Sequence, residues 1–299
     1  MPFELLFLGT GTSAGVPMIG CDCATCTSDD PRDHRNRPSV LLRIPDPGLQ
    51  IDPTGETAWD EVTPQGSDED GFHARFNPAQ IGHRQILIDT APDLRLQCVR
   101  HKSSRLDSVV FTHAHADHIF GLDDLRRFNA VMKQPLDLLA EASVIDTLRS
   151  MFRYVFEPHT NVNTSFIPEL IAAPIEVAKP FTTGPATWTP IRLMHGRLPI
   201  LGFRVDCAGK SLAYCTDCST IPPESYPLLQ GLDALVIDAL RYRHHPTHLT
   251  VEQAVRIIDE LQPGRAFLTH LAHDIHHATL RDELPEGIEP AYDGLSVKL

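Results

Sequence analysis

The chain has 299 residues, with 26 Lys+Arg against 39 Asp+Glu and a formal net charge of −13. That length allows one large domain or two ordinary ones with ample buried core, and the acidic balance argues against a broad nucleic-acid footprint or an anionic membrane surface. Histidine stands out at 16 residues, and it is both the commonest metal ligand and the side chain that titrates near neutral pH.

The chain opens MPFELLFLGTGTSAG, with no basic leader, Glu4 early and Gly9 breaking the apolar run. A signal peptide is not expected, and a cytoplasmic protein is. No stretch nears the roughly 18 apolar residues of a membrane span. Short β-rich runs recur at Phe3–Leu8, Ser39–Ile44, Gln85–Asp89, Ser108–Thr112, Thr187–Met194, Ile200–Asp206, Ser211–Tyr214, Ala234–Ala239 and Ala266–Thr269, most bounded by Gly, Pro or Asp. Helical stretches fall at Pro92–His101 and Glu141–Phe152, and a helix-like run covers Leu122–Phe128. The clearest helix is Thr250–Leu261, where Val251, Ala254, Val255, Ile258 and Leu261 share one face and Thr250 with Gln253 forms a capping box. Between two strand runs that would otherwise make a hairpin, Asp46–Arg84 carries eight acidic residues against two Arg and little periodicity, which reads as a solvated insert. The expectation is one α/β domain over 1–299 with mixed sheets and an acidic insert at 46–84.

The strongest chemical signal is Thr112-His113-Ala114-His115-Ala116-Asp117-His118, entered from an apolar strand. Residues at i and i+2 of an extended chain point the same way, so His113 and His115 can face one ion. A turn after them would swing Asp117 and His118 toward a second. Imidazole and carboxylate donors suit Zn²⁺, Mn²⁺ or Fe²⁺. Further candidates sit at strand ends: His195, Asp217 in Tyr-Cys-Thr-Asp-Cys-Ser, and His270.

Near the N-terminus, Gly9–Gly15 reads as a tight turn near the substrate rather than a dinucleotide fingerprint. Cys21, Cys23 and Cys26 follow as C-x-C-x₂-C. Three thiolates need a fourth ligand to close a structural zinc, and His273 is a candidate. Cys215 and Cys218 flank Asp217 and read as packing residues, as do Cys98 and Cys207. His248 lies just before the Thr250 cap.

The ordered set formed by Asp89 in Leu-Ile-Asp-Thr, the His113–His118 element, His195, Asp217 and His270 resembles the metallo-β-lactamase superfamily. Within it, the chain resembles the phosphodiesterase branch that holds tRNase Z and the PhnP-type phosphoribosyl cyclic phosphodiesterases, from Phe3 to about His273. The resemblance implies a four-layer αββα sandwich. It implies one divalent ion on His113, His115, His195 and Asp217, and a second on Asp117, His118, Asp217 and His270, with Asp217 and a hydroxide bridging. Zinc or manganese would serve, with iron as a third candidate. Asp89 would hold a ligand imidazole or the turn in place. His248 falls where these enzymes place the group that protonates the leaving alkoxide, so Asp117, Asp217 and His248 are the expected catalytic residues. The PhnP-type pattern also pairs the three cysteines with a His at the spacing of His273, as a structural zinc. His244 and His245 have no counterpart and read as exposed, and Arg241 and Arg243 are candidates for a phosphate.

The expected activity is hydrolysis of small cyclic or nucleotide-like phosphodiesters, with no nucleic-acid or membrane partner. The oligomeric state stays open, a homodimer being compatible. A tRNA 3′-processing nuclease is the first alternative, but no projecting basic arm lies between His118 and His195. A lactone, thioester or β-lactam hydrolase is the second, although Asp217 differs from the metal-binding Cys of certain β-lactamases. A non-catalytic metal- or partner-binding protein of the same fold is the third.

Overall fold

The computed structural model describes residues 3–49, 82–160 and 166–299. Most of the acidic insert lies outside the described residues. Its two ends do pair: β2 (Ser39–Pro45) runs antiparallel to β3 (His83–Ile88), with Pro45 opposite His83.

Two seven-stranded sheets carry the fold. The first begins with β1 (Glu4–Gly9), β2 and β3, continues through β4 (Ser108–Val110), β5 (Leu136–Ala140) and β6 (Leu170–Pro174), and is edged beyond β1 by β14 (Ser296–Lys298). The second contains β7 (Phe181–Thr183), β8 (Ala186–His195), β9 (Leu198–Cys207), β10 (Lys210–Cys215), β11 (Ala234–Asp238), β12 (Arg265–Thr269) and β13 (Ile288–Pro290) in sequential order. Each sheet is mixed. β14, β1, β2 and β3 pair antiparallel, then β3 through β6 pair parallel. Likewise β7 through β10 pair antiparallel and β10 through β13 parallel.

Both faces of each sheet are covered, so the strands alternate between two interiors rather than between core and water. In β1, Leu5 and Phe7 enter the cluster between the sheets, while Leu6 and Leu8 enter one shared with the helices. In β11, Ala234 and Val236 face inward, while Leu235 and Ile237 meet the outer helices. The outer layer of the first sheet is built by α1 (Leu94–Arg100), α2 (Ala116–Ile119), α3 (Arg126–Met132), α4 (Ala142–Met151) and α5 (Arg153–Phe156). That of the second is α6 (Val251–Leu261) and α7 (His277–Glu283). This is the four-layer αββα sandwich.

All nine expected strands are present with ends shifted by a residue or two. The capping box of α6 forms, with the Thr250 hydroxyl accepting from the Gln253 amide at 3.2 Å and the Gln253 side chain accepting from the Thr250 amide at 2.9 Å. The helix-like run at 122–128 divides into a 3₁₀ turn, Leu122–Leu125, and the start of α3. The C-terminal tail closes the edges of both sheets, since β13 pairs with β12 and β14 with β1.

Candidate metal centre and active site

The ends of β3, β4, β8, β10, β11 and β12 deliver the site residues. Asp89 follows β3, His195 ends β8, Asp217 lies just past β10, Asp238 ends β11 and His270 follows β12. Asp89, Asp217 and His270 take positive φ of 62°, 57° and 61°. Non-glycine residues rarely adopt this left-handed conformation, and at a site it marks strain that the surrounding packing holds in place.

Four nearby clusters of potential ligand atoms, each within 4.8 Å, come from this region: His113/His115/His195, His113/His118/Asp217, His195/Asp217/His248 and Asp117/Asp217/His270. Every residue expected at the paired metals is therefore brought together. The route differs from expectation in one respect. β4 ends at Val110, so His113 and His115 do not alternate along a strand. The loop after Phe111 carries them, and their rings meet edge to face at 4.6 Å, His113 buried and His115 exposed.

Hydrogen bonds fix which ring nitrogen each histidine turns inward. Asp89, fully buried, accepts from the Thr112 amide and hydroxyl, both at 2.8 Å, and from His118 Nδ1 at 2.7 Å. With its proton committed to Asp89, the Thr112 oxygen accepts from His113 Nδ1 at 2.9 Å. His195 Nδ1 donates to the Thr247 carbonyl at 2.8 Å. His113 and His118 thereby keep Nε2 free, and both Nε2 atoms are buried without a hydrogen-bond partner, as is His270 Nδ1. Unpartnered buried ring nitrogens beside carboxylates are the donor set that a divalent cation requires. Asp217 lies among them, Oδ2 3.2 Å from His118 Nε2 and Oδ1 3.1 Å from His270 Nδ1.

The electrostatics agree. Burial holds His113 well below its usual pKa and also lowers His115, His195 and His270, which keeps these imidazoles in the neutral form that metals need. His118 goes the other way. Burial opposes its charge, but Asp217, Asp89 and Asp117 outweigh that, so positive charge is favoured at this nitrogen. Burial pushes Asp217 up, and His118 and His270 more than reverse it, leaving the carboxylate ionised. The donor set fits divalent zinc, manganese or iron. Asp89→Asn is expected to weaken metal binding about 10- to 100-fold, read by chelator competition. Unchanged affinity would mean that Asp89 only shapes the turn.

His248 is buried, and its Nδ1 lies 2.6 Å from Asp238 Oδ2. Its ring stacks on His270 at 4.8 Å and meets His195 edge to face at 4.6 Å. Asp238 was not singled out by sequence reasoning. The signal available was a carboxylate closing an apolar strand in Val-Ile-Asp, the same pattern as Leu-Ile-Asp at Asp89. One other reading needs correction. His245 is half-buried rather than exposed, its ring 5.1 Å from that of His248. Arg241 donates to the carbonyls of Arg243 and His244 at 3.2 and 3.1 Å and so shapes its own loop, while Arg243 stands mostly exposed, 3.9 Å from Asp274.

A separate cluster joins Cys21, Cys23, Cys26 and His273, again within 4.8 Å. His273 Nδ1 is 3.3 Å from Cys21 Sγ and 3.5 Å from Cys23 Sγ. The Cys26 amide and then His273 pull the Cys23 thiol down to about 6, which favours the thiolate at neutral pH. Three sulfurs and one imidazole fit tetrahedral zinc with every position filled by protein. The turn after β1 is tied to the same segment, since the Leu271 amide donates to the Thr10 carbonyl at 2.9 Å. Buried Arg35 reinforces the tie by donating to the carbonyls of Ala272 and Ile275 at 3.0 and 2.8 Å, with Asp33 at 3.1 Å.

The sandwich and its strand-end cluster are matched by a sequence model of the beta-lactamase superfamily domain over residues 84–271. The chain belongs to the metallo-β-lactamase superfamily. The crystal structure of a diphosphatase from the PhnP family aligns over 100% of this chain and 98% of that one, at 34% identity and a TM-score of 0.79. Zn²⁺-bound PqqB from Methylobacterium extorquens shares the fold at 18% identity, with a TM-score of 0.70 over 99% of this chain and 100% of that one. An octanoyltransferase of Porphyromonas gingivalis is 36% identical over 295 residues, which is 97% of this chain and 50% of that protein. The chain thus spans about half the length of that relative. This superfamily member carries candidate His/Asp sites for divalent metal. Among the described residues no helix is long and apolar enough to cross a membrane.

Proposed function

We propose that this protein is a hydrolase that cleaves small phosphodiesters of the cyclic or nucleotide-like kind, using two divalent ions and His248 as the proton donor to the leaving oxygen. One ion would be held by His113, His115, His195 and Asp217, the other by Asp117, His118, Asp217 and His270, and a structural zinc by Cys21, Cys23, Cys26 and His273. The paired ions would supply an activated water and screening of the phosphoryl oxygens.

The observation that carries the reading is the His248–Asp238 pair. Nδ1 is engaged by a fully buried carboxylate, which leaves Nε2 for the metal side, where potential ligand atoms of His195, Asp217 and His248 cluster within 4.8 Å. An alkoxide is a poor leaving group unless protonated as the bond breaks, and an imidazole so oriented can deliver that proton. A thioester hydrolase, whose thiolate departs readily without protonation, gains nothing comparable. The likeness to the PhnP-family diphosphatase over the full chain supports phosphorus chemistry.

Acyl transfer, suggested by the name of the longer relative, finds little support in the buried thiols. Burial pushes Cys215 up to about 12 and Cys218 well above its usual value, so both stay protonated and unreactive. The net charge of −13 disfavours a tRNA substrate.

The test is parallel turnover of a cyclic ribose phosphate, a 2′,3′-cyclic nucleotide, bis-nitrophenyl phosphate, a pre-tRNA and a lactone. Turnover of the lactone alone would overturn the proposal. His248→Ala is expected to keep its metal and to lose about 10²- to 10⁴-fold in rate on alkoxide leaving groups, with a much smaller loss on a nitrophenyl ester. Equal losses on both would remove the proton-donor role.

A further inference from the structure

His245 belongs to none of the metal-holding groups, yet it stands at the outer end of a row of imidazoles. His270 is fully buried, His248 stacks on it, and the half-buried ring of His245 follows at 5.1 Å from His248. Its position is set by the neighbouring loop. Thr247 gives its carbonyl to His195 and directs its amide at His245 Nδ1, at 3.4 Å, with its hydroxyl at 3.1 Å from the same nitrogen. Gly196, at φ +62°, brings the β8–β9 turn so close to this loop that a Cβ there would lie 2.9 Å from Thr247 Cγ2.

A backbone amide can only donate, so Nδ1 of His245 is an acceptor and its ring proton resides on Nε2. That nitrogen has no protein partner among the described residues, and it is not among the buried polar atoms sealed from solvent. Burial, then His248 and Arg241, lower the pKa of His245 and favour this neutral form. The surrounding loop is also cationic. Arg241 and Arg243 accompany His245, the loop has no carboxylate of its own between Asp238 and Glu252, and Asp274 stands 3.9 Å from Arg243.

We propose that His245 binds the leaving-group side of the substrate, its Nε2–H donating to an oxygen adjacent to the departing one, and so selects leaving groups such as sugars or other polyols over simple aryl alcohols. The placement follows from order: His248 faces the leaving oxygen, and His245 lies one ring farther from the metal ligands. This assignment rests on the phosphodiesterase reading above.

The test compares the metal-loaded wild type with His245→Ala and His245→Gln, whose amide nitrogen can restore a donor near the Nε2 position. In His245→Ala the kcat/KM ratio of a 2′,3′-cyclic nucleotide to bis-nitrophenyl phosphate is expected to fall about tenfold, mostly through KM. The Kd of the ribonucleoside monophosphate product is expected to rise about tenfold by calorimetry, as loss of one hydrogen bond predicts, with metal content retained. His245→Gln is expected to recover most of both losses. A two-bond ¹⁵N–¹H spectrum of the free protein is expected to show the proton of His245 on Nε2. A proton on Nδ1, an unchanged monophosphate Kd, or a parallel loss on both substrates would overturn the assignment. If the wild type cleaves no phosphodiester, the functional reading fails, while monophosphate binding and the ring tautomer still decide the role of His245.

Discussion

Asp217→Ala is expected to reduce phosphodiester hydrolysis on the order of 10³-fold or more, because without divalent ions the reaction loses its neutral-pH nucleophile. Asp217 participates in three of the five candidate groups, more than any other residue. Its Oδ2 lies 3.9 Å from His113 and 3.2 Å from His118, a candidate ligand of each proposed ion, and its Oδ1 lies 3.1 Å from His270. Among the described residues no other carboxylate is grouped with candidate ligands of both proposed ions. Its loss would leave buried imidazoles with too little negative charge to hold a pair of divalent ions. Elemental analysis should show both exchangeable metals depleted, and added metal should restore little activity. Circular dichroism serves as the folding control, since Ala at φ 57° is itself unfavourable. A folded variant that keeps its metal and more than about a tenth of the wild-type rate would contradict the shared-ligand role.

Cys23→Ser acts on a different layer of the molecule. The expected result is loss of the chelator-resistant zinc and a fall in Tm of roughly 5 °C or more, of the order that ~2 kcal/mol produces in a domain this large. The reason is topological. The cysteine loop follows β1 at one end of the chain, and His273 follows β12 near the other, so the cluster cross-links segments some 250 residues apart. Because His270 lies three residues before His273, loosening that tie reaches the metal centre second. Activity at low temperature is therefore expected to survive better than thermal stability. Zinc content and Tm identical to the wild type would eliminate the structural site. An activity loss larger than the stability loss would place Cys23 in the chemistry instead.

Much of this is legible in the sequence. Every ligand-type residue at the paired site lies at or just beyond the end of a strand run that composition reveals, because Val, Ile, Leu and Phe in short blocks bounded by Gly, Pro and Asp are conspicuous. Spacing did the rest at His113–His118 and at Cys21, Cys23 and Cys26. Three of the five strands that escaped are informative. β5 reads Leu-Asp-Leu-Leu-Ala, without β-branched residues, while β13 and β14 are three-residue edges. These segments are strands because β4, β12 and β1 offer unpaired backbone groups beside them, which local sequence does not encode.

The site shows the same division. The polar residues in the strand-end loops determine which atoms are available, and the sequence alone named eleven candidate ligands and a candidate proton donor. Only the tertiary structure decided how each ring is turned. Asp89 commits Nδ1 of His118 and the hydroxyl of Thr112, Thr112 then commits His113, Thr247 commits His195, and Asp238 commits His248. Those partners lie from one to 52 residues away in the chain. A hydrogen bond depends on distance and direction in space, and along most of that separation the sequence carries neither. His245 shows the limit most plainly: its type is common, its neighbours in the chain are unremarkable, and its place beside His248 exists only because the loop folds back on Thr247.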